Sequence, residues 1–485
     1  MNRSTILGTV LSVLLGAGLW GCAGGGAGAT GDSMADLMNS ELGYMTRIRA
    51  LDQTEVEVAD GTVDRKIWRD NVKKIAWGAA NYEKLRLAAI DALLADDEAD
   101  TRNMLRLMLP REPDWPVIER ICLLAGQNGW EEYTPSLVRS WSRPVVQPAD
   151  PERPERAALI ALHPNQEVEA TVFEVFATPS EDKLFGDKAR EEAWALLCRL
   201  DPTGSKTAGY LLEIGDPNDP LLTDLRAGAR DLRAAPTTPE QLQWLRDLRK
   251  PEHSGWWAEA TSAIARLGPE QLQGFELRHA SAVVWAAAHE PGWLNATRGE
   301  LLATLTADLQ GRKVSQRSAE EIDGMPPPRE RLADNAARLV WGDVLLLLIA
   351  DRAIADEEVA ASLFAQADTD RGDTSTEYGG VLEARGNGFI ALSYPPRPAQ
   401  RTGDNRFVAS PELLESGATA LFHYHFHARR ANEREYAGPS PGDDAYAKQF
   451  GRSCIVFTSL EEDELNADYY QPNGAAVDLG EVRRP

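Results

Sequence analysis

The sequence predicts a long helical part followed by a smaller C-terminal α+β domain. From about residue 33 to residue 368, apolar side chains recur at helical spacing, and Pro, Gly or Asp residues separate the runs. After residue 370 this periodicity gives way to short β-like runs with two short helices between them. Hydrophobic residues make up 43% of the chain and charged residues 26%, which is typical of a folded globular protein.

The first 22 residues have the features of a targeting segment. Arg3 provides a positive charge, and the apolar run at 6–19 is too short to span a bilayer. The run ends in Leu19-Trp20-Gly21-Cys22, which resembles the lipobox of bacterial lipoproteins. The resemblance implies lipidation of Cys22 and a protein held at a bacterial membrane in the cell envelope, facing the periplasm or the exterior. An ordinary secretory signal with a chance cysteine is the alternative. Residues 23–33 are then a Gly-rich tether.

The helical part, residues 34–368, contains a weak internal repeat. Similar helices open with an arginine, and successive arginines differ in residue number by 34, 36, 34 and 36: Arg86, Arg120, Arg156, Arg190 and Arg226. Regular helical repeats of this length are typical of an α-solenoid, and the stretch is similar to HEAT-type repeats. The similarity implies a concave surface that binds a protein partner. An irregular helical bundle is the alternative.

The charge and hydropathy of the chain argue against two further classes. The net charge of −24 repels phosphate backbones, so we expect no nucleic-acid partner. The apolar run at 344–350 follows Asp343 directly and is far too short to cross a membrane. It predicts a buried helix.

The C-terminal domain, residues 369–485, alternates β-like runs with short helices. The two helices are expected near 411–415 and 441–450. The strands are expected at 379–384, 389–394, 418–425, 453–458, 467–470 and 475–479.

Three of the seven histidines fall within five residues, at His423, His425 and His427. On a strand, side chains two residues apart point to the same side, so the three imidazoles are expected on one face. Neighbouring neutral imidazoles suit zinc. Taken alone, the pattern fits an exposed polar strand face equally well.

Two further segments gain meaning only beside the histidines. Ser440-Pro441-Gly442-Asp443 has the form of a helix N-cap with an acidic residue three positions later. Glu377 lies just before a Gly-Gly pair and an apolar strand, where a solvated turn carboxylate is the default interpretation.

The order of these three segments resembles the JAMM motif of MPN+ metalloproteases: a Glu, His-x-His about fifty residues later, then Ser-x-x-Asp. The resemblance implies a zinc ion held by His425, His427 and Asp443, with a fourth position open for water. It makes Glu377 the residue that moves the proton of that water, and Ser440 a hydrogen-bond donor to the oxyanion.

The sequence also departs from the family pattern at several positions. More residues than usual separate His427 from Ser440, which predicts a loop insertion within 429–439, and Ala428 replaces the customary Pro. His423 is an alternative metal ligand, and Asp444 is an alternative to its neighbour Asp443.

The sequence therefore predicts a membrane-anchored, zinc-dependent peptidase or isopeptidase that hydrolyses an amide bond of a protein or peptide. The rival is a non-catalytic lipoprotein scaffold, in which the helical repeats bind a protein partner and the JAMM-like domain is inactive. A third interpretation keeps the metal but gives it a storage or sensing role that uses all three histidines.

Overall fold

The computed structural model describes residues 30–178, 186–317, 329–403 and 406–485. The chain forms two compact units, which divide between Gln127 and Asn128. The predicted signal segment and its lipidation site, Cys22, lie outside the described residues.

The first unit is helical, and a buried ion pair lies in its core. The fully buried Arg86 donates from Nε to the carbonyl of Ala76 at 3.0 Å, and its guanidinium pairs with Glu112. The helices are α1 (Ser33–Met38), α2 (Tyr44–Ala59), α3 (Arg65–Trp77), α4 (Glu83–Asp96), α5 (Glu98–Met108) and α6 (Trp115–Asn128).

The second unit continues with helices before the first strand. The first of these are α7 (Thr134–Ser142), α8 (Pro154–Leu162), α9 (Val168–Ala177), α10 (Gly186–Leu200), α11 (Ser205–Glu213), α12 (Pro220–Asp231) and α13 (Pro239–Leu248). They are followed by α14 (Ser254–Ile264), α15 (Pro269–Leu272), α16 (Ala280–His289), α17 (Arg298–Asp308), α18 (Leu332–Asn335), α19 (Trp341–Ile354) and α20 (Glu357–Gly372).

The arginines of the sequence repeat fall in alternate helices, namely α4, α6, α8, α10 and α12. Arg86 and Arg190 each donate from Nε to a carbonyl near the end of the preceding helix. Arg120 and Arg226 instead pair with aspartates, Asp91 and Asp216. Because the arginines do not share one contact, the HEAT-like solenoid stays a prediction.

The C-terminal part of the second unit is built on one mixed six-stranded sheet. Its order is β2-β1-β3-β4-β5-β6, and every pair is antiparallel except β3 with β4. The strands are β1 (Gly379–Arg385), β2 (Gly388–Ser393), β3 (Phe422–His427), β4 (Cys454–Glu461), β5 (Glu464–Tyr470) and β6 (Ala476–Arg483), with helices α21 (Pro411–Ser416) and α22 (Pro441–Phe450). A helical part followed by an α+β part is therefore confirmed.

All six predicted strands and both predicted helices are present, and the bounds differ most at β3 and at β6, which runs to Arg483 and not to residue 479. β3 begins at Phe422 and not at residue 418, because the preceding residues make a turn: the amide of Gly417 closes α21 on Leu413, and the amide of Ala420 bonds to the carbonyl of Gly417. The predicted domain limits, 34–368 and 369–485, stay a prediction, and α20 runs across the limit between them.

Helix α19 confirms the prediction of a buried helix at 344–350. Each residue of this run is at most 2% exposed. Within the described part of the chain, no helix is both long enough and apolar enough to cross a membrane.

Candidate metal centre

The parallel pairing of β3 with β4 places α22 as the crossover between them, beside the histidine face of β3. His425, His427 and Asp443 each offer one ligand atom, and these atoms lie within 4.8 Å of one another. His425 Nε2 is 3.2 Å from Asp443 Oδ1, and His427 Nε2 is 3.5 Å from Asp443 Oδ2. Among the described residues this is the one such group of His, Cys, Asp and Glu side chains.

His425 is the most enclosed of the three. It is 1% exposed, and its ring stacks on the ring of Phe407 with centroids 5.1 Å apart. Tyr470 lies behind it, with the hydroxyl 3.4 Å from Nδ1. Although Nε2 lies near Asp443, it is buried and makes no hydrogen bond. A buried nitrogen without a partner is costly, so this atom is suited to a ligand.

His427 is oriented by the backbone. Its Nδ1 is 2.9 Å from the carbonyl oxygen of Tyr436, which can only accept, so Nδ1 carries a proton and Nε2 faces Asp443. Burial by itself lowers the pKa of His427, but the hydrogen bond and charge of Asp443, with a further contribution from Glu377, raise it to about 9. In the absence of a cation, therefore, a proton on His427 balances the carboxylate.

Asp443 is held by the helix N-cap that the sequence predicted. The amide of Ser440 donates to Asp443 Oδ2 at 2.7 Å, and the amide of Asp443 donates to Ser440 Oγ at 3.3 Å. Burial by itself raises the pKa of Asp443, but the neighbouring imidazoles of His425 and His427 hold the pKa of this carboxyl well below its usual range. The cap thus presents an ionised carboxylate to both imidazoles.

Glu377 reaches the site through the register of β1 on β3. Gly379 is the partner of His425 in this antiparallel pair, so two further residues along the chain place Glu377 beside His427. The two glycines after it allow the close approach. A Cβ on Gly379 would overlap the ring of Phe407, and one on Gly380 would overlap the carbonyl of Leu392.

A polar network holds the turn that carries Glu377. The amide of Tyr378 donates to the buried Asp370 Oδ1 at 2.7 Å, and the hydroxyl of Tyr378 donates to Asp373. Arg401 pairs with Asp373 at 2.8 Å. These contacts hold the backbone next to Glu377, which is itself 9% exposed.

These residues open into a cleft of about 730 Å³. Glu377, His427, Ser440 and Asp443 line one part of it. The remaining lining includes aromatic side chains from both sides, namely Phe407, Tyr436, Tyr446 and Phe450, together with Arg317, Arg406 and Arg429. The cleft is large enough for a short stretch of peptide.

The alternative ligands lie outside the three-residue group. His423 is buried, and its Nδ1 is 2.9 Å from the hydroxyl of Tyr446. Burial, then the charge of Arg452, lowers its pKa well below the usual range. Asp444 follows Asp443 on α22 but is exposed. The structure thus groups two of the three histidines with one of the two aspartates.

The insertion predicted within 429–439 is an ordered segment that packs on the edge of the site. The amide of Glu433 donates to the carbonyl of Ser459 on β4 at 2.7 Å, and Arg430 pairs with Glu433 at 2.8 Å. The segment then makes a 3₁₀ turn at Arg434–Tyr436, which brings the carbonyl of Tyr436 to His427.

The donor set fits zinc better than the hard cations. Two imidazole nitrogens and one carboxylate oxygen are ligands that zinc takes in open, catalytic sites, whereas calcium and magnesium prefer oxygen alone. The unpartnered Nε2 of His425 and the fixed tautomer of His427 agree with that use.

Comparison with known proteins finds no matching family model, no similar curated protein and no similar solved structure. The JAMM resemblance therefore rests on the motif residues alone. Sequence reasoning missed three contacts of the site, from Phe407, Tyr436 and Tyr470. A backbone carbonyl has no sequence signal, and the two rings resemble any core aromatic residue.

Proposed function

We propose that this protein is a zinc-dependent peptidase or isopeptidase. The observation that carries the proposal is the grouping of His425, His427 and Asp443 beside a cleft that Glu377 also lines. They come from β3, from the start of α22 and from the turn before β1, and are up to 66 positions apart in the chain. The motif order anticipated all four, which is hard to account for by core packing alone.

The zinc ion would be held by the two Nε2 atoms and the Asp443 carboxylate. When bound, such an ion supplies a Lewis acid and lowers the pKa of water to about 7. Asp443 balances its charge, and the Tyr436 carbonyl keeps His427 in the tautomer that can ligate.

Glu377 is proposed as the general base and acid. It lies beside His427 at the mouth of the same cleft, so it can take a proton from the attacking water and deliver it to the leaving amine. The hydroxyl of Ser440 accepts from the Asp443 amide, which leaves its own proton to donate to the developing oxyanion.

The test is an activity screen on peptide and isopeptide libraries with wild-type protein and Glu377→Gln. We expect wild-type hydrolysis that chelator abolishes, and a Glu377→Gln protein that keeps zinc but is inactive. Glu383→Gln, on β1 and outside the cleft lining, is the matched control and should remain active. A zinc-loaded wild type as inactive as Glu377→Gln would support the scaffold alternative.

We also propose that Cys22 carries a lipid and that the helical repeats bind a protein partner. The support is the Leu19-Trp20-Gly21-Cys22 sequence and the arginine spacing in the helical part. Labelling with a fatty-acid analogue tests the first idea: Cys22→Ala should abolish labelling and release the protein from the membrane fraction. Label retained in Cys22→Ala would contradict it.

A further inference from the structure

A second set of buried oxygen atoms lies beside the histidines, on the next two strands of the sheet, β4 and β5, and on one residue outside the sheet. Its members are Glu330, Thr458, Asn466 and Asp468, here termed the oxygen cluster. Each of these residues is buried. Five of their side-chain oxygens make no hydrogen bond: Glu330 Oε1 and Oε2, Thr458 Oγ1, Asn466 Oδ1 and Asp468 Oδ1.

The strand register brings these side chains together. Thr458 is the partner of His427 in the β3–β4 pair, and Asn466 is the partner of Thr458 in the β4–β5 pair. Directly paired residues point to the same face, so the row of polar side chains continues outward from the histidines. Asp468 follows two residues after Asn466 on that face, and the Asn466 amide donates to its Oδ2 at 2.8 Å.

Glu330 covers the cluster from outside the sheet. The amide of Asp478 donates to its backbone carbonyl at 2.8 Å, and Asp478 is the partner of Asp468 in the β5–β6 pair. Its carboxylate packs so closely on Gly438 that a Cβ there would overlap Oε1. Gly438 has φ +86°, a conformation that glycine adopts readily.

Without a bound ligand, the burial of these oxygen atoms is energetically unfavourable. The carboxylates of Glu330 and Asp468 are fully buried, and the amide and hydroxyl oxygens of Asn466 and Thr458 have no donor. Arg317, whose charge acts on Glu330, donates to the carbonyl of Pro439. Such burial is unfavourable unless protons or a cation compensate the charge.

We propose that the oxygen cluster binds a hard divalent cation, calcium, at a site separate from the histidine centre. The donors are all oxygens, with two carboxylates, one amide and one hydroxyl, which is the chemistry that calcium prefers. Magnesium is less suited, because it keeps several waters and the cluster is closed to solvent.

The site lies beneath the segment that leads into α22. The Glu330 carboxylate packs against Gly438, and Gly438 and Pro439 precede the N-cap Ser440. A cation that joins Glu330 to Asp468 therefore ties this segment to the sheet. This role does not depend on the proposed hydrolysis.

The test is a titration of the chelator-treated, full-length protein with calcium chloride by calorimetry and by thermal melting. We expect about one calcium per chain and a higher melting temperature, with the affinity reduced at least about tenfold in Glu330→Gln and Asp468→Asn. His427→Ala should bind calcium as wild type does, because its side chain belongs to the other centre.

Glu155→Gln is the matched control, since Glu155 is equally buried but fully paired with Arg153 and Ser140. It should lower stability but leave calcium binding unchanged. In chelator at neutral pH, Glu330→Gln should melt above wild type, because a buried glutamine is neutral without taking up a proton on folding. Absence of calcium binding by wild type, unchanged binding in both cluster variants, or loss of binding in His427→Ala would each overturn the proposal.

Discussion

Ser440 has two separable roles: it is a helix N-cap, and it is the proposed hydrogen-bond donor in the cleft. Ser410 is its natural comparison, because it caps α21 in the same Ser-Pro context and accepts from the Leu413 amide at 3.1 Å. Removing either hydroxyl deprives a helix of its cap. Of the two serines, only Ser440 is proposed to donate a hydrogen bond in the cleft.

We expect Ser440→Ala and Ser410→Ala to lower the free energy of unfolding by a similar amount, about 1 kcal/mol each. Only Ser440→Ala should also lower kcat, by about 100-fold to 1,000-fold, through loss of an oxyanion donor. Denaturant unfolding and hydrolysis rates measure the two effects. Equal activity of the two variants would remove Ser440 from the chemistry.

At the scale of elements, the Gly-Gly pair after Glu377 sets how closely β1 approaches its neighbours. β1 lies between β2 and β3, and a methyl group on Gly380 would overlap the carbonyl of Leu392. The glycines are therefore needed for pairing on both sides of the strand that carries Glu377 to the site.

Gly380→Ala should destabilise the protein by about 1–3 kcal/mol, because the strands must move apart. Gly209→Ala is the control, since Gly209 lies in α11 with open space around it and should gain about 0.5–1 kcal/mol. Thermal melts of both proteins check the prediction. A Gly380→Ala protein as stable as wild type would mean that the register on β3 is less tightly fixed than the structure indicates.

The elements of the C-terminal domain were predictable because their signals are local. Apolar runs predicted all six strands, and the Ser440-Pro441 pair predicted the start of α22 at its observed position. Strand periodicity also placed His425 and His427 on one face. Periodicity alone could not choose between His423 and His427 as the partner of His425, because that choice depends on where α22 packs; the motif resemblance indicated His427.

The oxygen cluster, by contrast, was not predictable from local sequence signals. Glu330 is 138 positions from Asp468, and nothing local to either residue indicates that they meet. Their proximity follows from the β5–β6 register and from the path of the chain before α18. Neither of these could be obtained from hydrophobic periodicity.

At the scale of the whole second unit, a buried ion pair joins the helices to the sheet. Arg278 precedes α16 and pairs with Asp343 of α19 at 2.6 Å, with both side chains at most 2% exposed. Gln471, just after β5, donates to the same aspartate at 3.1 Å. Removing Asp343 would leave the buried Arg278 with only the partly exposed Glu276 as a counter-charge.

Asp343→Asn should therefore lower the free energy of unfolding by about 3–5 kcal/mol. Asp216→Asn, which removes the partner of Arg226 on the surface, should cost no more than about 1 kcal/mol. Chemical unfolding of the two variants provides the comparison. A small loss in Asp343→Asn would show that the helices and the sheet are held together mainly by apolar packing.

The oxygen cluster predicts a pH dependence of stability for the cation-free protein. Burial, then the charge of Asp478, raises the pKa of Glu330 from 4.5 to about 8. The folded state thus holds a proton that the unfolded state releases, so the free energy of unfolding should fall as pH rises from about 4.5 to about 8.

Urea titrations in chelator at several pH values measure this slope. Glu330→Gln should make the slope shallower, whereas the exposed Glu461→Gln should leave the slope unchanged. A slope that is the same in all three proteins would show that Glu330 does not hold the proton.

The most direct measurement is the zinc content of purified wild-type protein beside single histidine variants that remain folded by circular dichroism. The proposal predicts about one zinc per wild-type chain and per His423→Ala chain, because His423 faces Tyr446. It predicts loss of zinc from both His425→Ala and His427→Ala. Zinc-free wild type, or zinc retained when either of these two ligands is removed, would contradict it.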